Sequence, residues 1–356
     1  MKQSLICLLL LPFCISAQRK ITERIDSLIL AQKQLNGVVL VAENGKPVYY
    51  NAIGYREYAK QSPLQQTDIF ELASVSKQFT AMIIMMLKEK GNLNYDDLVE
   101  KYLTIPYKGI TIRQLLTHTS GLPDYQEIMD KYWDKTKVAS NKEILEYLNQ
   151  YAPPKQFDPG TKYEYSNTGY VLLASIAERA SGKDFIVMCR EWIFGPLKMN
   201  NTNIRTLAEK AATPNFAIGH IYVPEKQQYI RADSFPSSDY TIWLGNRKGP
   251  GRISSTAEDL LKWDQALYLN SLVKESTLEE AFTRMKLSDG RMSNYGFGWE
   301  LPTDKTLGTV VMHTGDNPGY STRIVRYIDQ NKTIILLSNN NYTDFGKLVK
   351  EIEKLF

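Results

Sequence analysis

The sequence predicts an α/β (α+β) fold: an antiparallel sheet flanked by helices, built from both ends of the chain, with an all-helical lobe inserted in its middle. Three observations lead there. Strand-like runs separated by short turns cluster near both ends. The middle carries apolar residues at helical spacing. Pro and Gly breaks divide those helices from one another.

Taken in order, Ile21, Ile25, Leu28, Ile29 and Leu35 recur among charged residues and predict an amphipathic helix, closed by Asn36-Gly37. Val38 to Ala42, the turn Glu43-Asn44-Gly45-Lys46, and Pro47 to Tyr50 then read as a hairpin. From Phe79 to Leu87 the run leaves no polar face, which predicts a helix buried on all sides. Further helices are expected over 112–116, 142–150, 170–181 and 257–269, with breaks at Gly121-Leu122-Pro123, Pro153-Pro154, Asp158-Pro159-Gly160 and Gly249-Pro250-Gly251. Beyond about residue 295 the pattern turns to strands, over 295–301, 309–313, 321–328 and 333–338, and an amphipathic helix over 345–355 closes the chain. The expected organisation is one domain over 18–356, with a sheet lobe at about 18–73 and 285–356 and a mostly helical lobe at about 74–284. The two lobes should share a cleft, where ligand sites tend to lie.

Composition narrows the function. The chain has 356 residues, 43% of them hydrophobic and 23% charged, which is globular and not disordered composition. A formal charge of +4 and the lack of a basic stripe argue against nucleic-acid binding. The first 17 residues read as an export signal: Lys2, the apolar stretch Leu5 to Ile15, and the small pair Ser16-Ala17 before the cut. Periplasmic or secreted location follows as the expectation, with no transmembrane segment in the mature chain. Cleavage would remove Cys7 and Cys14 and leave only Cys189, so no internal disulfide is expected and Cys189 reads as core.

Common catalytic signatures are missing: no G-x-S-x-G elbow, no H-E-x-x-H, no phosphate-cradling glycine loop. His118, His220 and His313 are too few and too scattered for a zinc site, so neither metal nor cofactor is expected. A serine activated by a lysine remains. In Ser74-Val75-Ser76-Lys77 a helix starting at Ser74 would put Lys77 one turn along the same face, within reach of the hydroxyl. A lysine entering an apolar lobe is pushed toward its neutral form, which can accept the serine proton. The spacing alone is weak: Ser271-Leu272-Val273-Lys274 repeats it, and Tyr-x-Asn occurs at Tyr49, Tyr147, Tyr165 and Tyr268. On spacing alone, Ser74 and Lys77 also read as a helix cap and a solvated lysine.

Order and surroundings separate these readings. Residues 71–81, ELASVSKQFTA, resemble the nucleophile segment of the serine β-lactamase and penicillin-binding protein superfamily. LLTHTSGLPDY at 115–125, FDPGTKYEYSNTGYVLL at 157–173, GPGRISSTAEDLLKWDQAL at 249–267, YGFGWE at 295–300 and the triplet His313-Thr314-Gly315 follow in the order of that family. The resemblance is to the class C β-lactamase-like branch, with its DD-peptidases, esterases and D-aminopeptidases, and it implies the β-lactamase/DD-peptidase fold. It also implies Ser74 as nucleophile, Lys77 as its activator, Tyr165 as a proton shuttle held partly as phenolate, and Asn167 on a substrate amide. His313, Thr314 and Gly315 would line the cleft, and the backbone N–H groups of Ser74 and Asp316 would hold the oxyanion. The implied reaction is two-step acyl transfer on a small-molecule or peptide substrate, cell-wall peptide among the candidates. A true β-lactamase is the alternative, and a non-catalytic cell-wall-ligand-binding or assembly protein on the same fold is the alternative of another class.

Two residues depart from the β-lactamase pattern. His313 stands where lysine is usual and would be charged only part of the time at neutral pH. Asp316 either points into the cleft beside Thr314 or caps the turn Asp316-Asn317-Pro318-Gly319. In the cleft it would repel a free carboxylate and favour an ester, an amide or an amine-bearing peptide. Arg323 and Arg326 could restore a cation nearby. Strand parity leaves that open.

Overall fold

Asn44 and Gly45 take positive φ, 51° and 71°, which lets two residues turn the chain between β1 (Gly37–Glu43) and β2 (Lys46–Ile53). This computed structural model describes residues 21–303 and 306–356, so the export signal expected over 1–17 lies outside the described residues. At the other end of the chain β3 (Val310–Asn317), β4 (Tyr320–Tyr327) and β5 (Lys332–Ser338) form two further hairpins. The five strands make one sheet in the order β3-β4-β5-β1-β2, every neighbour antiparallel. Gly37 pairs with Ser338 and Glu43 with Lys332, so the two ends of the chain meet in the middle of the sheet.

Side-chain alternation then gives the sheet two covered faces. Val38, Leu40, Ile324, Ile335 and Leu337 pack toward the helical part of the chain. Val39, Val41, Val325, Ile334 and Leu336 pack instead against Ile25 and Ile29 of the N-terminal helix and against Phe345, Leu348 and Ile352 of the last helix, Phe345–Glu353. Because both faces are buried, β1 reads as a continuous apolar run and not as an alternating one.

The helix that follows the nucleophile segment is α1 (Lys77–Glu89), buried from Lys77 through Met85, as its long apolar run requires, with the polar Lys77, Gln78 and Thr80 taken in as well. It packs on α2 (Asn167–Ser181), which starts where the side chain of Ser166 accepts the N–H of Gly169. Residues 73–76 form a separate 3-10 turn ahead of α1, so Ser74 precedes the α-helix where it was expected to begin it.

One expected strand is absent. Residues 295–301 make only isolated bridges, Tyr295 to Glu300 and Glu300 to Met312. The aromatic residues there favour a strand, but Gly298 has φ 77° and a Cβ on it would lie 2.8 Å from the Lys77 carbonyl oxygen. The segment bends sharply because it must pass against the backbone of α1.

Candidate active site

The nucleophile segment is held under local strain. Ala73, immediately before Ser74, has φ 47°, a left-handed conformation that costs an L-residue roughly 1–2 kcal/mol. Ala73 is buried, and Thr322 donates from Oγ1 to the Leu72 carbonyl at 2.8 Å, so β4 fixes the chain just ahead of the serine. Gly315 makes this contact possible. A Cβ there would lie 2.3 Å from the Leu72 oxygen and 3.1 Å from the Ser74 nitrogen. Only glycine lets β3 come so near the Ser74 backbone.

Lys77 is wholly buried, with Nζ 3.0 Å from Ser74 Oγ, 2.9 Å from Asn167 Oδ1 and 2.9 Å from the Pro250 carbonyl. Among the described residues no carboxylate pairs with it. Burial, and next the Arg247 guanidinium, hold its pKa well below the ordinary lysine value, while Asp124 pulls weakly the other way. Burial thus shifts the balance at Lys77 toward the neutral amine.

Tyr165 lies over the same ammonium position, Lys77 Nζ being 4.7 Å from its ring centre. Tyr165 is 40% exposed, yet the protein packs densely around the part of it that faces away from the cleft. Desolvation drives the phenol pKa upward, against a lowering hydrogen bond with Ser74. The free site thus holds Tyr165 as phenol, whereas the sequence comparison suggested a partial phenolate. Burial raises the phenol and at the same time works against the charge on the lysine that was to stabilise a phenolate. His118 seats this loop: its Nδ1 accepts the Ser166 N–H at 3.0 Å, and its ring lies 4.3 Å from that of Tyr165.

Along β3 the side chains alternate. His313 and Gly315 turn inward, and Thr314 and Asp316 turn to the cleft. His313 is buried, with Nδ1 2.5 Å from the Thr314 carbonyl oxygen and Nε2 2.7 Å from Tyr295 Oη. Burial brings its pKa down to about 4, so the ring is neutral at pH 7 and does not line the cleft, unlike the partly charged substrate-facing residue expected. Asp316 pairs with Ser321 inside the hairpin, which turns at Pro318-Gly319, and its Oδ1 accepts from Ser321 Oγ at 3.0 Å. Of its two readings, cleft and turn cap, the structure selects the cleft.

β3 is an edge strand, and its outward backbone groups are the ones free to meet a ligand. Met312 N–H donates off the sheet to the Glu300 carbonyl and Thr314 N–H to Glu300 Oε1. With a period of two, the N–H of Asp316 points off the same edge, beside Ser74. Arg326 is buried against Asp264, Nε to Oδ1 2.5 Å, and does not line the cleft. Arg323 lines an adjoining hollow under the last helix, which shares Thr314 and Asp316 with the cleft.

Ser74, Tyr165, Asn167, Glu300, Thr314 and Asp316 all line one cavity of about 620 Å³. Of the predicted site residues, only Lys77, His313 and Gly315 stand behind its surface, each touching a residue that lines it. Glu300 was not singled out from the sequence. It belongs to the YGFGWE phrase, and its carboxylate also accepts from Thr314 Oγ1 at 3.0 Å, but only the bend at Gly298 brings it back to β3. Among the described residues no cluster of His, Cys, Asp and Glu could hold a metal ion.

A β-lactamase family model matches residues 18–354. The chain belongs to the β-lactamase family. It is 40% identical over 325 residues to penicillin-binding protein 4* of Bacillus subtilis, covering 90% of this chain and 72% of that one. It is 27% identical over 365 residues to a β-lactamase of Escherichia coli, covering 90% and 89%. In structure it is similar to a penicillin-binding protein from Bacillus halodurans, with a TM-score of 0.81 at 24% identity over 93% of this chain and 99% of that one. The chain is thus a penicillin-binding-protein-like member of the β-lactamase family, on the fold those proteins share.

Proposed function

We propose that this β-lactamase-family protein is an exported serine hydrolase that cleaves amide or ester bonds through an acyl-enzyme on Ser74, in the manner of DD-peptidases and esterases. The observation that carries the proposal is the setting of Lys77. A neutral amine has two N–H groups, and two carbonyl oxygens, of Asn167 and Pro250, stand ready to accept them. Its lone pair then faces Ser74 Oγ at 3.0 Å, within range for proton transfer.

In acylation Ser74 Oγ bonds to the substrate carbonyl carbon as its proton passes to Lys77 Nζ. Charge gathers on the carbonyl oxygen, where the N–H groups of Ser74 and Asp316 receive it, each worth about 3 kcal/mol to the tetrahedral intermediate. Collapse breaks the bond to the leaving group, which takes the phenolic proton of Tyr165, and Lys77 returns a proton to the phenolate. Water then attacks the acyl-enzyme and regenerates Ser74 by the same proton transfers in reverse. Asn167 both accepts from Lys77 and lines the cavity, so it ties the base to the substrate amide.

Mixing the protein with benzylpenicillin, and following intact mass and remaining drug together, tests the reading. A lasting adduct that Ser74→Ala abolishes identifies a DD-peptidase with slow deacylation. Drug consumed without an adduct identifies a β-lactamase. If neither occurs, turnover of activated esters that Ser74→Ala retains in full would refute Ser74 as nucleophile.

A further inference from the structure

The wall of the cavity opposite Tyr165 and Asn167 is built from acceptors. Glu300 Oε1 takes both the N–H and the hydroxyl proton of Thr314. The Thr314 hydroxyl has a single proton, and once Glu300 holds it the oxygen can only accept from a ligand. Asp316 follows two residues on, exposed to the same cavity, with Oδ1 taken by Ser321 Oγ and Oδ2 unengaged by any hydrogen bond described. Three groups that line the one cavity, Glu300, Thr314 Oγ1 and Asp316, therefore present lone pairs, and two of them are carboxylates.

Among the described residues no cation stands with them at the cavity surface. Glu300 and Asp316 are the only charged residues among the described residues that line it. Lys77 lies behind the surface, buried and engaged with three oxygens. Arg323, paired across from Thr314, shares an adjoining hollow of about 210 Å³ with Thr314 and Asp316 and attracts both carboxylates at longer range. It makes no ion pair with either among the described residues, so one cation stands against two carboxylates. A substrate carboxylate placed here would meet like charge and an acceptor-only hydroxyl, both unfavourable. A primary ammonium has three N–H donors for three acceptors.

We infer that this wall selects substrates bearing an α-ammonium on the acyl half, next to the scissile carbonyl, and rejects those with a carboxylate there; this rests on the serine-hydrolase reading above. The position follows from Asp316 itself. One residue supplies both an N–H toward the carbonyl oxygen and a carboxylate toward the ligand, so the cation it meets lies within a few bonds of that carbonyl. An amine two bonds away satisfies this, and the scissile amide or ester breaks without any group beyond water being required.

The test compares kcat/KM for three substrates with one leaving group: D-alanine 4-nitroanilide, its N-acetyl derivative and its N-succinyl derivative. They place a cation, a neutral amide and an anion near the same carbonyl. Wild type should prefer the first over the second by about 10- to 100-fold, the worth of one or two hydrogen bonds to charged groups, and should turn over the third least. Asp316→Asn and Glu300→Gln should each shrink the cation-to-neutral ratio, read as a ratio so that general loss of activity cancels. Equal use of the three, or a ratio unmoved in both variants, overturns the inference. So does turnover of none of them while a fluorophosphonate still labels Ser74, an outcome that leaves the serine-hydrolase reading standing. No turnover and no labelling of Ser74 would bring down both.

Discussion

Lys77→Met separates what the buried lysine does for catalysis from what it costs the fold. Methionine nearly matches the lysine stem in length and is apolar, so the pocket stays filled. Catalysis loses its base: Ser74 Oγ no longer has an amine 3.0 Å away. General-base catalysis is worth about 10²- to 10⁴-fold, so acylation should slow by that amount. Stability should move the other way. The folded protein holds the Lys77 pKa well below its ordinary value, chiefly by burial. At every pH below the unfolded value, folding must therefore either release that proton or bury the charge, and the methionine variant is spared this. The two hydrogen bonds lost to Asn167 and Pro250 offset part of the gain, at about 1 kcal/mol each. Stopped-flow acylation with a chromogenic ester, beside thermal unfolding at pH 7, reads both effects. A variant that acylates within tenfold of wild type, or that unfolds several degrees earlier, would refute the reasoning.

The remaining predictions concern pH, packing and charge. With a substrate that has no ionisable group, the pH profile of kcat/KM should rise once through the lowered Lys77 pKa as the amine deprotonates, then stay level past pH 10, because Tyr165 is raised and remains phenol. It should lack an inflection near 6.5, since burial puts His313 at about 4; a clear break there would place a titrating imidazole in the mechanism. Gly315→Ala should abolish acylation and cost about 1–3 kcal/mol, because its Cβ meets the Leu72 oxygen at 2.3 Å; wild-type burst kinetics in that variant would show that β3 and the nucleophile turn are not in close register. Arg326→Met should cost about 3–5 kcal/mol in denaturant unfolding, because it leaves Asp264 buried without its partner, and an unchanged midpoint would contradict the pairing.

Much of this was legible in the sequence, for identifiable reasons. The hairpins β1-β2 and β4-β5 announce themselves through apolar runs around short polar turns, and α1 through a stretch with no polar face. The segment over 295–301 misleads because Tyr, Phe and Trp favour strands, while the constraint on Gly298 comes from Lys77, over 200 positions earlier in the chain. Ser74, Lys77, Tyr165 and Asn167 could be picked out by motif order. Their charge states could not, since the lowered Lys77 pKa, phenolic Tyr165 and neutral His313 depend on burial by residues remote in sequence. Glu300 escaped for the same reason: its role depends on meeting β3, which no local pattern reveals.

The account turns on an acyl group bound to Ser74. Rapid quenching with 4-nitrophenyl acetate, followed by intact-mass measurement and peptide mapping, tests this most directly. A burst of about one nitrophenolate per chain, with acetyl mapped to Ser74 and both lost in Ser74→Ala, is the result predicted. Acetyl on another residue, or a burst that persists in Ser74→Ala, would contradict it.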